Sequence, residues 1–221
     1  MERFWNERSA AFCSGFKVGN KLIATAGHCI ETPGACKATR FIFGFYKTRA
    51  KLHPELNIPR TNVYSCKRIV AGVTHPDSLP PDWRVVEVDR NIAAPQVTIR
   101  PSTIPRISRG TGVTVIGYPN GLPVKIVSGA KVLEVSTLFH AFLINADAYH
   151  GNFGSAVFNT ARLAQGQLFV EGILNGGNPD FVALGSPPCA VSRHYPKQGG
   201  GASAPFRGEF ATFASEIEKA R

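Results

Sequence analysis

The sequence lacks any apolar run near the ~20 residues that a membrane-spanning helix needs, and it lacks internal repeats. We therefore expect no transmembrane helix. Residues 1–10 are polar and charged, unlike a secretory signal with its apolar middle. Either no such signal existed or it has been removed.

Long helical patterns are also missing, and charged residues make up only 18% of the chain. The 22 glycines and 16 prolines divide it into short segments rich in β-branched and aromatic residues. We predict strands near residues 16–19, 21–25, 40–46, 84–88, 112–117, 125–127, 131–135, 139–144, 155–158 and 167–174. This pattern predicts an all-β sandwich or barrel protein. Only the end, from Phe210 onward, has helical spacing, and it predicts a short closing helix.

Acidic residues are scarce in the first third of the chain. Residues 1–75 contain twelve Lys/Arg against four Asp/Glu, and the whole chain has a net charge of +10. The cations alternate with apolar residues, as on solvated strand faces. We therefore favour an ordinary solvated surface over a polyanion-binding surface. An acidic partner for the basic half stays open, and nucleic acid is not the expected ligand.

The strongest motif is a hairpin from Cys13 that ends in a small-residue turn, Thr25 to Cys29, and presents His28. It resembles the histidine motif of the trypsin-like serine peptidase family, of the bacterial secreted type. The resemblance implies that His28 occupies the position of the catalytic base and that Cys13 and Cys29 form a disulfide bond. In the chain-entropy model such a bond contributes about 3 kcal/mol.

An aspartate in a suitable setting follows the histidine. Asp82 directly precedes the apolar segment from Trp83 to Val88. It resembles the family's acid, which accepts the imidazole N–H and fixes the tautomer. Asp77 and Asp89 are weaker candidates for this role.

The third segment, residues 147–159, resembles the family's nucleophile motif, but the serine position is occupied by Phe153. Gly151 and Gly154 flank it, as expected for a tight turn. The backbone N–H groups of Gly151 and Phe153 would form the oxyanion hole. Ser155 lies two residues further, about 6–7 Å along an extended chain and beyond the reach of a general base.

Two alternatives would preserve activity: Ser155 acts as the nucleophile, or Phe153 is an artificial substitution. If neither alternative holds, the resemblance implies a catalytically inactive homologue whose scaffold binds a protein or peptide. The specificity pocket is predicted to contain Asp147, His150, Asn175 and Gly177. A carboxylate at the pocket base favours Lys or Arg, although Asp147 alone does not establish the selectivity.

The resemblance implies two packed six-stranded antiparallel β-barrels, over about 10–105 and 106–208, with a helix over about 209–221. The segment at Asn120 and Gly121 is expected to be an inter-strand turn of the second barrel. A second disulfide, Cys36 to Cys66, is plausible in the first barrel, which leaves Cys189 as a free thiol or an intermolecular link. Disulfides favour secretion or a periplasmic location. No cofactor or metal site is expected, because the remaining histidines are scattered: His53, His75, His140 and His194.

Overall fold

The computed structural model describes residues 4–47, 58–75, 79–185, 189–192 and 208–218. These residues are mostly β-structure with two short helices. The strands of the first half are β1 (Phe16–Gly19), β2 (Leu22–Thr25), β3 (Arg40–Ile42), β4 (Val63–Val73) and β5 (Trp83–Val88). Those of the second half are β6 (Thr98–Ile99), β7 (Gly112–Gly117), β8 (Lys125–Ser136), β9 (Ala141–Ile144), β10 (Ala156–Asn159), β11 (Phe169–Gly176), β12 (Phe181–Leu184), β13 (Cys189–Ser192) and β14 (Glu209–Phe213). The helices are α1 (Pro33–Ala38) and α2 (Thr160–Ala164), and 3-10 turns lie at Gly27–Cys29, Arg60–Asn62, Pro119–Gly121 and Ala214–Glu216.

The first half of the chain forms a curled, antiparallel half-barrel with strand order β1-β2-β5-β4-β3. Alternate side chains of its strands point inward, and Ile23, Tyr64 and Val86 are among its buried core. Both predicted disulfides are present: Cys13–Cys29 joins the start of β1 to the turn after β2, and Cys36–Cys66 joins α1 to β4. The side chain of Cys189 is outside the described part of the structure.

The second half forms a closed barrel of six strands, in the order β10-β7-β8-β9-β14-β11, because β11 pairs again with β10. The turn at Asn120 and Gly121 joins β7 to β8, as expected. The short β6 adds to β11 in parallel, although it precedes residue 105. The predicted boundary between the two barrels stays a prediction.

One apolar cluster lies between the two sheets. It combines residues of the half-barrel, such as Phe16 and Trp83, with residues of the closed barrel, such as Phe158 and Ile173. The buried area of such side chains, worth about 1.5–3 kcal/mol each, holds the two parts together. The cleft between them therefore has fixed walls.

Several details differ from the sequence-based expectation. In the described residues the first half has five strands in place of the expected six, and β6, β12 and β13 were not predicted. The long strand β4 was not predicted, because Lys67 and Arg68 interrupt its apolar alternation at a β-bulge opposite β5. The closing segment contains less helix than expected: Glu209–Phe213 is strand β14, since backbone pairing with β9 and β11 closes the barrel there. Only the turn Ala214–Glu216 follows as 3-10 helix within the described residues. No helix of the described part is long and apolar enough to cross a membrane.

Candidate active site

His28 lies in the 3-10 turn directly after β2, at the edge of the half-barrel. The turn needs glycine at position 27, because a Cβ atom there would collide with the carbonyl oxygen of Val73 and a carboxylate oxygen of Asp82. The Cys13–Cys29 disulfide fixes the other side of the turn. The local sequence therefore determines where the imidazole projects.

Asp82 is fully buried at the start of β5 and contacts His28 through both carboxylate oxygens. The Oδ2 atom is 2.7 Å from the Nδ1 atom of His28, and Oδ1 accepts the backbone N–H of His28 at 3.0 Å. A proton on Nδ1 would be donated to the acid and would leave Nε2 unprotonated, which is the tautomer that a general base requires. Asp89 is at the opposite end of β5 and pairs with Arg90. Asp77 lies outside the described residues.

A polar network from the second barrel supports Asp82 from behind. The backbone N–H of Asp82 donates to the hydroxyl of Thr212 at 3.0 Å. The side-chain oxygen of Asn175 accepts hydrogen bonds from the N–H and the hydroxyl of Thr212, at 2.9 and 3.2 Å. Asn175 is fully buried, so its side chain supports Asp82 rather than lining an open pocket. Nothing in the sequence pattern indicated the role of Thr212.

The turn that carries residue 153 has left-handed backbone at the two glycines that flank it. Gly151 has φ of 88° and Gly154 has φ of 90°, values that favour glycine. The hydroxyl of Ser14 donates to the carbonyl oxygen of Gly151 at 2.8 Å, and the N–H of Ser14 donates to that of Phe153 at 2.8 Å. The start of β1 therefore holds the turn against the half-barrel.

The ring of Phe153 projects towards the histidine. Its centroid is 5.0 Å from that of His28, with an interplanar angle of 75°, and 5.1 Å from that of His150, at 87°. Both contacts are edge-to-face arrangements, which aromatic rings prefer. Phe153 is partly buried against the core of the half-barrel. The structure thus places His28, Asp82 and Phe153 next to one another, and the assignment of residue 153 to the nucleophile position stays a prediction.

The backbone of this turn has hydrogen-bond donors that the described residues leave unused. The N–H groups of Gly151 and Phe153 donate to no acceptor among the described residues. By contrast, Ser155 is buried with its hydroxyl against Gly117 of β7, and it donates to the side-chain oxygen of Asn152 at 3.4 Å. The hydroxyl of Ser155 has no contact with His28 in this structure.

Two carboxylates that the sequence analysis missed lie next to His150 and Gly177, residues of the predicted specificity pocket. Glu209 lies against Gly177, where its carboxylate leaves no room for a Cβ atom. Asp180 accepts the backbone N–H of His150 at 2.5 Å. Burial raises the pKa of Glu209 to about 9, with further contributions from the charges of Asp180 and Asp147. Burial also raises the pKa of Asp180. No motif marks either residue, because the fold alone brings them to the exposed Asp147.

One cluster of His and Cys side chains has ligand atoms within 4.8 Å of one another: Cys13, His28 and Cys29. The two cysteines are joined in a disulfide, so they offer no thiolate to a metal ion. Elsewhere, His140 pairs with Glu216 at 3.2 Å on the surface. His53 and His194 lie outside the described residues.

A buried aspartate that orients a histidine, opposite a glycine-flanked turn at the junction of two β-barrels, defines the class of chymotrypsin-fold serine peptidases and their homologues. A family profile for the trypsin-like peptidase domain matches residues 13–166. The chain therefore belongs to the trypsin-like peptidase family. A search of curated proteins finds no match.

Solved structures of this fold are similar over nearly the whole chain. Human heparin binding protein has 14% identity and a TM-score of 0.62, with 94% of this chain and 83% of that chain covered. A Glu endopeptidase in complex with MPD has 16% identity and a TM-score of 0.57, with 93% and 82% covered. Rv3671c from M. tuberculosis H37Rv, an inactive-form serine-to-alanine mutant, has 15% identity and a TM-score of 0.51, with 96% and 82% covered. At these identities the similarity shows the fold alone.

Proposed function

We propose that this protein is a non-catalytic serine peptidase homologue that uses the retained cleft to bind a protein or peptide. The observation that carries the proposal is the position of the Phe153 ring, 5.0 Å from the ring of His28. A benzyl group has no atom that can attack a carbonyl carbon. Peptidases that lose the nucleophile keep at most about 10³–10⁴-fold catalysis over water, from the oxyanion hole and binding.

The ring also occupies space that a scissile peptide would need. It contacts His28 on one side and His150 on the other, so it closes the gap between the base and the turn. A substrate carbonyl group cannot lie next to His28 while the Phe153 ring occupies this space. The cleft is therefore suited to holding a chain and unsuited to cleaving it.

An active endopeptidase that uses Ser155 is the first alternative. It would require the Ser155 hydroxyl to leave its site against Gly117 and Asn152 and reach His28. General-base catalysis needs contact at about 3 Å, so the turn would have to be rebuilt. The second alternative, an artificial Phe153, is tested by the sequence of the source gene.

The remaining cleft has features that suit a polypeptide ligand with a basic side chain. The N–H groups of Gly151 and Phe153 can donate hydrogen bonds to a carbonyl oxygen of the ligand. The carboxyl groups of Asp147, Asp180 and Glu209 lie close enough for Asp147 and Asp180 to raise the pKa of Glu209. A Lys or Arg side chain would favour their ionised forms. The two disulfides support a secreted or periplasmic location for this binding.

Phe153→Ser, with Phe153→Ala as the matched control, tests the proposal. The unmodified protein should not react with a fluorophosphonate probe and should not cleave denatured casein. If only the nucleophile is missing, Phe153→Ser should gain labelling that depends on His28 and Asp82, whereas Phe153→Ala should not. Robust labelling or casein cleavage by the unmodified chain would overturn the proposal.

Polyanion binding is the second candidate function, favoured by a cluster of cations on the outer face of the half-barrel. Lys67 and Arg68 share a single carboxylate, that of Glu87, at 2.9 and 2.7 Å, and both cations remain more than half exposed. The nearby Lys37 has no acidic partner in the described structure. The face therefore keeps an excess of positive charge.

Retention on immobilised heparin tests this candidate, with duplex DNA as a comparison. Elution should require a salt concentration well above the physiological one. Lys67→Ala and Arg68→Ala should each lower that concentration, because each lost phosphate or sulfate contact reduces the salt dependence. Arg109→Ala and Lys131→Ala on the second barrel are the matched controls. Salt-insensitive or absent retention would dismiss polyanion binding.

A further inference from the structure

The half-barrel has an open seam between its two edge strands. Its edge strands β1 and β3 do not pair with each other in the described residues. A groove of about 330 Å³ lies between them, with residues 10–17 along one wall and residues 39–45 along the other. This volume is at the lower end of the range for ligand sites in proteins. Neither His28 nor Phe153 lines the groove.

The interior of the groove is apolar. Ile23 and Ile30 form its floor, and Phe12, Phe41 and Phe43 lie along its walls. Phe12 is 57% exposed, which is unusual for a phenylalanine next to a core. An occupant that covers these side chains would be stabilised by about 25 cal/mol for each Å² of apolar surface removed from water.

The wall formed by β3 has an unused backbone edge. The carbonyl oxygen of Thr39 and the N–H of Phe43 bond to the β4 side, so Arg40 and Ile42 direct their backbone groups away from β4. The backbone N–H and carbonyl groups of Arg40 and Ile42 have no partner among the described residues. The opposite edge is partly used, because Val97 donates its N–H to the carbonyl oxygen of Lys17. An exposed strand edge recognises another extended chain through its main chain.

The charges at the groove favour an acidic occupant. Lys17 and Arg40 both line it, and no lining residue carries a carboxylate. The ammonium group of Lys17 donates to the carbonyl oxygens of Ile92 and Ala94, and the guanidinium of Arg40 donates to those of Lys37 and Thr39. Carbonyl partners leave both positive charges without a counter-ion. Each group also keeps an N–H free for a carboxylate.

We propose that this seam binds an extended segment of a partner protein, in which apolar residues alternate with polar and acidic ones, as an added strand along β3. The backbone of the segment pairs with Arg40 and Ile42, its apolar side chains enter the groove, and an acidic side chain meets Arg40. This binding site is separate from the cleft at His28. It fills the space between β1 and β3 and completes the first barrel.

A pool of peptides of about six residues, with Val, Ile or Phe alternating with Thr or Glu, is the probe. Binding is measured by fluorescence anisotropy, and amide hydrogen exchange is followed by NMR. The peptides should bind saturably and should slow exchange of the Arg40 and Ile42 amides. N-methylation of the pairing edge of the peptide should weaken binding about tenfold, the equivalent of one hydrogen bond at about 1.4 kcal/mol. Replacement of Glu by Lys should also weaken it.

Ile42→Pro removes an outward N–H from the edge strand without removing a bond to β4. It should reduce affinity by about tenfold or more, whereas Ile42→Ala, which keeps the N–H, should retain most of the binding. Ala11→Trp, which fills the groove from the other wall, should abolish binding without altering β3 and serves if the proline variant does not fold.

Three results would overturn the proposal. One is that no peptide of the pool binds at millimolar concentration. Another is that peptides bind Ile42→Pro and Ala11→Trp as tightly as the unmodified protein. The third is that the free protein dimerises through β3 in sedimentation experiments, since a second copy of the chain would then be the occupant. Peptide binding at the seam is measured with Phe153 in place, whereas the cleft is tested by Phe153→Ser, so the two proposals are tested on separate proteins.

Discussion

The two sides of the cleft differ in what they offer a reaction. On the side of the half-barrel, His28 and Asp82 form a 2.7 Å contact between Nδ1 and Oδ2. On the side of the closed barrel, two glycines with left-handed backbone flank Phe153, whose ring has no nucleophilic atom. Under the proposed function, the difference between the two sides lies in this one side chain.

The difference follows from how deeply each group is embedded in the fold. Asp82 is fully buried, closes the turn at Gly27, and bonds to Thr212 of the other barrel. Replacing its side chain would leave the backbone N–H and the Nδ1–H of His28 without a partner, whereas the backbone bond to Thr212 would remain. The side chain at 153 projects into the cleft, so the fold tolerates a ring there. The presence of this histidine and aspartate is therefore weak evidence for catalysis, because their contribution to the stability of the fold is a sufficient reason to keep both residues.

The largest expected effect tests this argument directly. Asp82→Ala should lower the free energy of unfolding by about 3–5 kcal/mol, since it removes one partner of a buried pair and leaves two donors of His28 unsatisfied. Urea denaturation followed by tryptophan fluorescence measures the change. Asp89→Ala, at the exposed end of the same strand, is the matched control and should cost less than about 1 kcal/mol. Equal effects of the two changes would mean that the buried pair does not stabilise the fold.

The next effect concerns the turn of the closed barrel. Gly154→Ala introduces a Cβ atom that would collide with the carbonyl oxygen of Ser14 and the hydroxyl of Thr25, at a left-handed φ. Gly129→Ala is the matched control, because Gly129 has φ of 80° but no heavy atom within 4 Å of a new Cβ. The backbone strain is common to both, so Gly154→Ala should cost about 1–3 kcal/mol more than the control.

A difference near zero between the two alanine variants in urea denaturation would show that the turn can move away from β1. The N–H groups of Gly151 and Phe153 would then not be held in place, which would weaken the proposal that they bind a ligand carbonyl oxygen.

The part of the site that could be predicted from sequence is the part whose residues are marked by a short local pattern. The turn at His28 is recognisable because the cysteines, the glycine and the histidine are close in the chain. Asp82 is recognisable because it precedes a short apolar strand. The altered position 153 follows from its flanking glycines. In each case the chemistry requires particular residue types at fixed spacing, so the pattern survives in a single sequence.

The remainder depends on long-range packing that no local pattern records. Thr212 reaches Asp82 only because β14 closes the barrel, and β14 itself has the spacing of a helix in sequence. Asp147, Asp180 and Glu209 come from three separate segments of the chain, and only the fold brings their carboxylates near one another. In the described residues β1 and β3 do not pair with each other. The positions of predicted strands do not show which strands pair, so this seam could not be predicted.

The last prediction depends on pH and concerns the pocket of the closed barrel. Burial raises the pKa of Glu209 from its ordinary value of 4.5 to about 9. Between these two pH values the folded protein retains a proton that the unfolded chain has released, so stability should fall as the pH rises through this window and level off above it. Below pH 4.5 both states are protonated and the contribution vanishes.

Glu209→Gln keeps the shape and an oxygen that can accept a hydrogen bond, but it cannot ionise. It should therefore raise the melting temperature at pH 8 and leave it nearly unchanged at pH 4.5, at about 2–4 °C for each kcal/mol gained in a chain of this size. The exposed Glu134→Gln is the matched control and should change neither value. Calorimetry across pH 4.5–8.5 measures both variants. If Glu209→Gln and the unmodified protein show parallel pH profiles, the carboxyl group is ionised in the folded state. The pocket would then carry a full negative charge before any ligand arrives, unlike the buried and neutral acid that this structure implies.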